Sequence, residues 1–129
     1  METTVSLVQM LDARERRVQH QQELLARYHK PLICFTMNIC GPVKDSPLIR
    51  RGFARGRQLL RQQFLRAKLV PLREDAIREV TGCEAFYVLD ADPLTIKKFT
   101  TDIEDATPLG RLFDMDVIRP DGRKVDREE

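Results

Sequence analysis

The sequence predicts a single α+β domain, spanning residues 1–129, in which helices flank a mixed sheet. The chain has 129 residues, a length that fits one compact domain. Short apolar runs rich in β-branched and aromatic residues alternate with longer segments whose apolar residues recur every three or four positions. The first pattern is typical of buried strands and the second of amphipathic helices. The chain has no internal repeat or low-complexity tract that would indicate a second domain.

The N-terminal region is predicted to form two helices. Residues 5–11 form a short helix in this prediction, and Asp12 caps a second one, with Glu15 completing a capping box. This second helix should run to about His29, because Pro31 prevents it from continuing. Its inner face is expected to carry Val18, Leu25 and Tyr28.

The next segment predicts a central strand followed by a long helix. Residues 32–39 are apolar enough for a strand inside the sheet. Gly41 and Pro42 break this strand, and Ser46 and Pro47 provide a helix cap and a first-turn proline. The helix should run from Pro47 to about Ala67 with one apolar stripe made of Ile49, Phe53, Gly56, Leu60 and Phe64. We expect Gly56 to let a neighbouring backbone approach closely.

The C-terminal half predicts two further strands and one helix. Residues 69–80 have no clean period and are interpreted as an extended segment that ends in a turn at Thr81 and Gly82. The remaining predicted elements are a strand at 85–89, a helix capped by Asp92 and reaching about Asp105, a loop at 107–110, a strand at 113–118 and a hairpin turn at 120–123. The arm after that turn is short, which suggests that the chain stops before its natural end.

Composition and termini exclude several classes of protein. No apolar run approaches the roughly 20 residues that a membrane span needs, and the first residues lack the basic and apolar regions of a signal peptide. The three cysteines, Cys34, Cys40 and Cys83, form no C-x-x-C pair. Buried reduced thiols in a cytoplasmic protein are therefore expected.

The charges are unevenly distributed along the chain. Residues 1–70 carry 13 Lys and Arg against 5 Asp and Glu, whereas the remainder carries 9 against 15. This division suits an enzyme that holds a polyphosphate on one wall and a metal ion on the other. A solvated surface with uneven charge explains the composition equally well.

Two aspartates are the strongest candidates for a metal site. Asp114 and Asp116 are two positions apart on a predicted strand, so both carboxylates should point to the same side. Carboxylates are ligands that suit Mg²⁺, which also binds substrate phosphates. Asp90 and Asp92 repeat the D-x-D pattern, but there the better interpretation is a strand end and a helix cap. Asp114 and Asp116 lie among apolar residues, where charges are costly without a function. A purely structural salt-bridge role is the alternative for this pair.

Two glycine-containing segments are candidates for phosphate binding. Gly110 precedes the D-x-D strand and could let the backbone approach a phosphate, which Arg111 could clamp. The segment from Gly41 to Ser46 joins a strand to a helix start, where free N–H groups and the helix dipole favour an anion. Its other candidate ligands are Lys44 and, on the following helix, Arg50 and Arg51. An ordinary turn glycine and surface arginines are the alternative in both places.

These segments resemble a known enzyme family. The run from Phe35 to Ser46, FTMNICGPVKDS, and the run from Pro108 to Val117, PLGRLFDMDV, are similar to the holo-acyl-carrier-protein synthase of citrate lyase. This family is also called apo-citrate lyase phosphoribosyl-dephospho-CoA transferase, and the resemblance extends from about Leu7 to Arg123. It implies a nucleotidyltransferase-like fold, with Asp114 and Asp116 as Mg²⁺ ligands. It also implies a longer tail that contains a cysteine.

The resemblance also implies a reaction and its partners. The family transfers a prosthetic group from 2′-(5″-triphosphoribosyl)-3′-dephospho-CoA to a serine of the citrate lyase acyl carrier subunit and releases pyrophosphate. Two alternatives stay open: the same chemistry on the malonate decarboxylase carrier, and a non-catalytic module that binds a carrier protein or nucleic acid through its basic helix. Neither nucleic acid nor a membrane is the expected partner. A third carboxylate is not identified, although Asp90 and Glu104 are candidates.

Overall fold

The strands form one sheet, and helices pack on both of its faces. The computed structural model describes residues 6–37, 47–79 and 82–126. Within these ranges the elements are α1 (Leu7–Tyr28), β1 (Leu32–Met37), α2 (Pro47–Ala67), β2 (Arg73–Glu79), β3 (Gly82–Val88), α3 (Pro93–Ala106), α4 (Leu109–Leu112) and β4 (Phe113–Ile118). The α+β fold class is therefore confirmed. Of the described helices, none is both long enough and apolar enough to cross a bilayer.

The first helix is continuous, so the predicted break at Asp12 is wrong. Ser6 caps α1: its hydroxyl accepts a hydrogen bond from the Gln9 backbone, and the Gln9 side chain accepts one from the Ser6 backbone. This capping box takes the place of the one expected at Asp12 because no helix-breaking residue separates the two positions. The helix ends at His29, which has left-handed backbone angles.

The inner face of α1 was predicted only in part. Leu25 is buried and Tyr28 packs beside it, as expected, whereas Val18 is 43% exposed. The buried positions also include Ala13 and Leu24.

The four strands form an antiparallel sheet in the order β2-β3-β1-β4. The expected mixed sheet is thus corrected. β1 pairs with β3 on one side and with β4 on the other. β2 pairs with β3 at the edge of the sheet. Strands that run in the same direction are consequently never neighbours. The extended segment predicted at 69–80 contains β2, an edge strand, and β3 begins three residues earlier than predicted.

The two faces of the sheet are covered by different helices. The larger core cluster joins one sheet face to α2 and α3 and includes Ile33, Phe35, Phe64, Tyr87 and Met115. The smaller cluster joins α1 to the opposite face and includes Leu24, Leu25, Cys34, Phe86 and Ile118. Cys34 and Cys83 are both buried, as the sequence predicts. β1 lies between the two clusters, and its first four residues are buried.

The apolar stripe of α2 is confirmed, and its glycine has a specific packing role. Phe53, Gly56, Leu60 and Phe64 are buried, and Ile49 packs against the same core. A Cβ atom at position 56 would lie 2.2 Å from Cζ of Phe113. The close neighbour of Gly56 is therefore an aromatic side chain and not the backbone that the sequence suggested.

The segment between α3 and β4 is helical, where a loop was expected. Asp92 caps α3 as predicted by accepting hydrogen bonds from the backbone of Leu94 and Thr95. The expected loop at 107–110 instead leads into the short helix α4. This compact turn is possible because Gly110 packs against α3: a Cβ at this position would be 2.8 Å from Cα of Glu104.

The predicted hairpin turn after β4 is confirmed. The backbone N–H of Gly122 donates to the carbonyl of Arg119, and Gly122 has a φ of 90° that favours glycine. The returning chain forms a β-bridge between Ile118 and Lys124. The side chain of Val125 then enters the larger core.

We predict that Gly56→Ala destabilises the fold while Gly52→Ala does not. Alanine favours a helix over glycine by about 1 kcal/mol at either site. At position 56 the added methyl group must displace the Phe113 ring, whereas at position 52 it meets the flexible end of Met37. Overpacking of this kind costs about 1–3 kcal/mol. Urea unfolding should therefore give a lower free energy of unfolding for Gly56→Ala than for Gly52→Ala. Equal stability of the two variants would contradict the tight contact with Phe113.

Candidate functional site

Asp114 and Asp116 point to the same side of β4, as predicted. Along this strand Phe113, Met115 and Val117 are buried in the larger core, whereas Asp114 is exposed and Asp116 is half-buried. The alternation follows from the period of two of a β-strand. The two carboxylates therefore share the sheet face on which α1 lies, while the strand is anchored from the other face.

A cavity of about 230 Å³ lies along the outer edge of β4 and contains both aspartates. Because β4 is an edge strand, this side of it is bordered by α3, by α4 and by the chain returning from the hairpin turn. Gly110 contributes to its wall. The charged lining residues are Lys97, Glu104, Asp114, Asp116, Lys124 and Asp126. Acidic side chains predominate, and Glu104 is one of the two carboxylates that the sequence suggested as a third ligand.

Lys124 forms an ion pair inside this cavity. Its Nζ lies 3.0 Å from Oδ1 of Asp116. The hydrogen bond and the charge of Asp116 raise the pKa of Lys124, and the charges of Asp114 and Asp126 act in the same direction. Sequence reasoning missed this residue because Lys124 was interpreted only as the start of a shortened hairpin arm. The predicted hairpin could have revealed it, since such a turn brings the returning residues beside β4.

A half-buried carboxylate, Glu84, lies in the same cross-strand row as Asp114. Thr36 of β1 pairs with Asp114 on one side and with Glu84 of β3 on the other. The Thr36 hydroxyl donates a 2.6 Å hydrogen bond to Oε2 of Glu84. Burial raises the pKa of Glu84, and the negative charge of Asp116 adds to this effect. A charge just before an apolar run is a weak sequence signal for this residue, because the predicted strand begins only at Ala85.

The second predicted motif is connected to the same end of the sheet. Met37, the last residue of β1, pairs with Phe113, the first residue of β4. The start of α2 returns to this point, since a Cβ on Gly52 would lie 2.9 Å from Cε of Met37. Both described ends of the intervening segment therefore lie close to the D-x-D strand. The candidate ligands Gly41, Lys44 and Ser46 belong to residues 38–46, outside the described ranges, and their roles stay predictions.

The remaining predicted phosphate ligands lie on neighbouring helices. Arg50 and Arg51 occupy the exposed first turns of α2, and Arg111 is exposed on α4, which α2 contacts. For Gly110 the structure provides a packing reason, its contact with Glu104. Phosphate binding by these four residues stays a prediction.

The arginines of α2 divide into two groups. Arg57 and Arg61 both donate to the carboxylate of Glu74 in β2, with 2.8 Å between Nε of Arg61 and Oε1 of Glu74. Although burial opposes it, the hydrogen bonds from Arg61 and Arg57 lower the pKa of Glu74. These two arginines therefore fasten α2 to the sheet edge. The exposed arginines of α2 include Arg51, Arg55 and Arg66, which lie within about 60° of one another on the helix surface.

The donor set around the aspartates suits a hard cation that retains other ligands. The described residues include no group of three His, Cys, Asp or Glu side chains arranged to hold a metal ion. Mg²⁺ is usually bound through one or two carboxylates, with water and substrate phosphates completing its coordination. Asp114 and Asp116 fit this mode, and Oδ1 of Asp116 is paired with the Lys124 ammonium in the described structure.

The proteins that are similar to this chain include two that carry the same name. A protein named apo-citrate lyase phosphoribosyl-dephospho-CoA transferase from Citrobacter koseri is 35% identical over 123 residues, which cover 95% of this chain and 67% of that protein. A protein of the same name from Escherichia coli O139:H28 is 33% identical over 125 residues, or 97% of this chain and 68% of that protein.

A third relative is much longer. The protein named CitXG from Haemophilus influenzae is 33% identical over 125 residues, which cover 97% of this chain but only 27% of that protein. The chain thus spans about two thirds of the first two relatives and about a quarter of the third.

A family model provides the broadest comparison. The model described as apo-citrate lyase phosphoribosyl-dephospho-CoA transferase matches residues 5–129. This match includes the D-x-D strand and the segment between β1 and α2. The chain therefore belongs to the apo-citrate lyase phosphoribosyl-dephospho-CoA transferase family.

Proposed function

We propose that this chain transfers the phosphoribosyl-dephospho-CoA group from 2′-(5″-triphosphoribosyl)-3′-dephospho-CoA to a serine of the citrate lyase acyl carrier subunit. Family membership and the names of the relatives support this activity. The observation that carries the assignment to this site is the pair formed by Asp114 and Asp116. Both line an acidic cavity at the edge of a strand that is otherwise anchored by apolar residues.

The proposed reaction is a nucleotidyl-type transfer at phosphorus. A bond forms between the serine Oγ and the phosphorus attached to the ribose, and the bond from that phosphorus to the bridging oxygen of the pyrophosphate breaks. The electron pair of the broken bond leaves with the pyrophosphate, and the serine proton passes to a base. Such transfers depend mainly on positioning and on stabilisation of the phosphate charge.

The residues of the chain share these two tasks. Asp114 and Asp116 hold Mg²⁺, whose chemistry when bound is to neutralise charge on the triphosphate and on the leaving pyrophosphate. We assign the other phosphate contacts to Gly41, Lys44, Ser46, Arg50, Arg51, Gly110 and Arg111. The described elements that carry or flank these residues, β1, α2 and α4, adjoin the same end of the sheet, because Met37 pairs with Phe113 and α2 contacts α4. Charge-assisted hydrogen bonds of this kind contribute about 1.5–3 kcal/mol each.

The carrier subunit is proposed to dock on the exposed arginine stripe of α2. This stripe consists of Arg51, Arg55 and Arg66, which are exposed and lie on a different side of the helix from the pair bound to Glu74. It begins at the end of α2 that lies nearest to Met37. An acidic carrier would therefore reach the site from its basic side.

The names of the relatives favour the citrate lyase carrier over the malonate decarboxylase carrier. A purely non-catalytic binding module would leave the two aspartates in the cavity without a role. Pyrophosphate release measured with each of the two apo-carrier proteins distinguishes the three possibilities. Release with only the malonate carrier would favour the first alternative, and carrier binding without release would favour the second.

Asp114→Asn and Asp116→Asn are expected to remain folded and to lose activity by about 10²-fold or more, because each change removes a ligand for a metal that contributes several kcal/mol. Transfer of the prosthetic group at saturating Mg²⁺ measures this loss, and circular dichroism checks the fold. The second D-x-D pair provides matched controls. Asp90, the other sequence candidate for a third ligand, follows β3 at the end of the sheet opposite Asp114, and it does not line the cavity. Asp90→Asn therefore removes an exposed ion pair with Lys30 away from the site. Asparagine replaces Asp92 as an equally good helix cap. Near-wild-type activity in both site variants would refute the assignment of the aspartates.

Reversing the charge of Arg55 and Arg66 is expected to weaken carrier binding, and the loss should be greatest at low salt. Exposed charges are screened beyond about 8 Å at physiological ionic strength. Titration of the apo-carrier at two salt concentrations measures the effect. The double reversal of Arg14 and Arg27, which are exposed on α1, is the control with the same change in net charge. Carrier affinity that is independent of salt, or unchanged in the double variant, would place docking elsewhere.

A further inference from the structure

Lys124 is held at the cavity by the backbone around it. It follows the hairpin turn, forms a bridge with Ile118, and precedes Val125, whose N–H donates a 2.8 Å hydrogen bond to the carbonyl of Val117. Val125 is fully buried. The Cα of Lys124 is consequently fixed next to β4, although its side chain is 58% exposed and can change rotamer.

The ammonium group of Lys124 lies beside the carboxylates of the cavity. It contacts Oδ1 of Asp116 at 3.0 Å. Asp114 and Asp126 line the same cavity. A divalent cation bound through Asp116 would therefore have to compete with this ion pair or share the carboxylate with a like charge. Like charges that share one carboxylate repel each other, so the ion pair opposes binding of the cation.

We propose that Lys124 is a built-in counter-ion of the carboxylate site, which pairs with Asp116 in the free protein and transfers to the substrate triphosphate when the metal binds. This inference rests on the proposed function, since it requires that Asp114 and Asp116 bind Mg²⁺. The flexible stem of lysine permits the transfer, and its ammonium is a common partner of phosphate. Lys124 thereby weakens metal binding before the substrate binds and strengthens binding of the triphosphate.

The proposal is tested by Mn²⁺ binding to the free protein, measured by calorimetry without substrate. Lys124→Gln is expected to bind Mn²⁺ about five-fold more tightly than wild type, because the competing ion pair is gone. Lys124→Arg keeps the charge and should restore weaker binding. Lys97→Gln is the matched control: Lys97 lines the same cavity, and its loss changes the net charge equally. A second measurement is KM for the triphosphate substrate, which should rise in Lys124→Gln.

The outcomes separate this inference from the proposed function. If Lys124→Gln binds Mn²⁺ as wild type does, or no more tightly than Lys97→Gln, while Asp116→Asn abolishes binding, Lys124 is not a counter-ion and the metal assignment stands. If Asp116→Asn binds Mn²⁺ normally, or wild type binds none, the metal assignment fails and this inference fails with it. Tighter Mn²⁺ binding together with a raised KM in Lys124→Gln alone supports the proposal.

Discussion

The register between β1 and β4 is the constraint on which the site depends. A shift by one residue would turn Phe113, Met115 and Val117 away from the core and bury the two aspartates. The observed register is fixed by burial on both sides of β1, because one face packs on α2 and α3 and the other on α1. Core packing therefore determines the side of β4 on which the two carboxylates lie. The ion pair between Asp116 and Lys124 adds to this arrangement.

The same register explains why motifs far apart in sequence meet. The 75 residues numbered 38–112 separate Met37 of β1 from Phe113 of β4, yet Met37 and Phe113 pair directly. The uneven distribution of charge along the sequence also has a structural explanation. Part of the basic first half is bound to the acidic second half through Glu74, so these charges fasten α2 to the sheet. The arginines of α2 that lie away from Glu74, among them Arg51, Arg55 and Arg66, are exposed to an external partner.

Local patterns predicted most of the fold, and long-range pairing explains most of what they missed. Short-range rules predict the bounds of α2 and β4, the Asp92 cap and the hairpin turn. Each of these predictions is confirmed. The break at Asp12 was wrong because two capping boxes compete within one helix-compatible segment. The strand order could not be predicted, because it depends on which partner β1 selects. Glu84 and Lys124 could not be predicted for the same reason, because each reaches the site only through the pairing of two chain segments.

The contact between Gly56 and Phe113 has a consequence for the evolution of the family. The ring of Phe113 occupies the space that a side chain at position 56 would need, and Phe113 is also the residue that begins the strand with the two aspartates. Neither position can change size alone without cost, because the pair shares one volume. Positions 56 and 113 should therefore covary among relatives, with a smaller residue at 113 wherever 56 carries a side chain. This covariation would trace the packing of α2 on the site strand through sequences for which no structure exists.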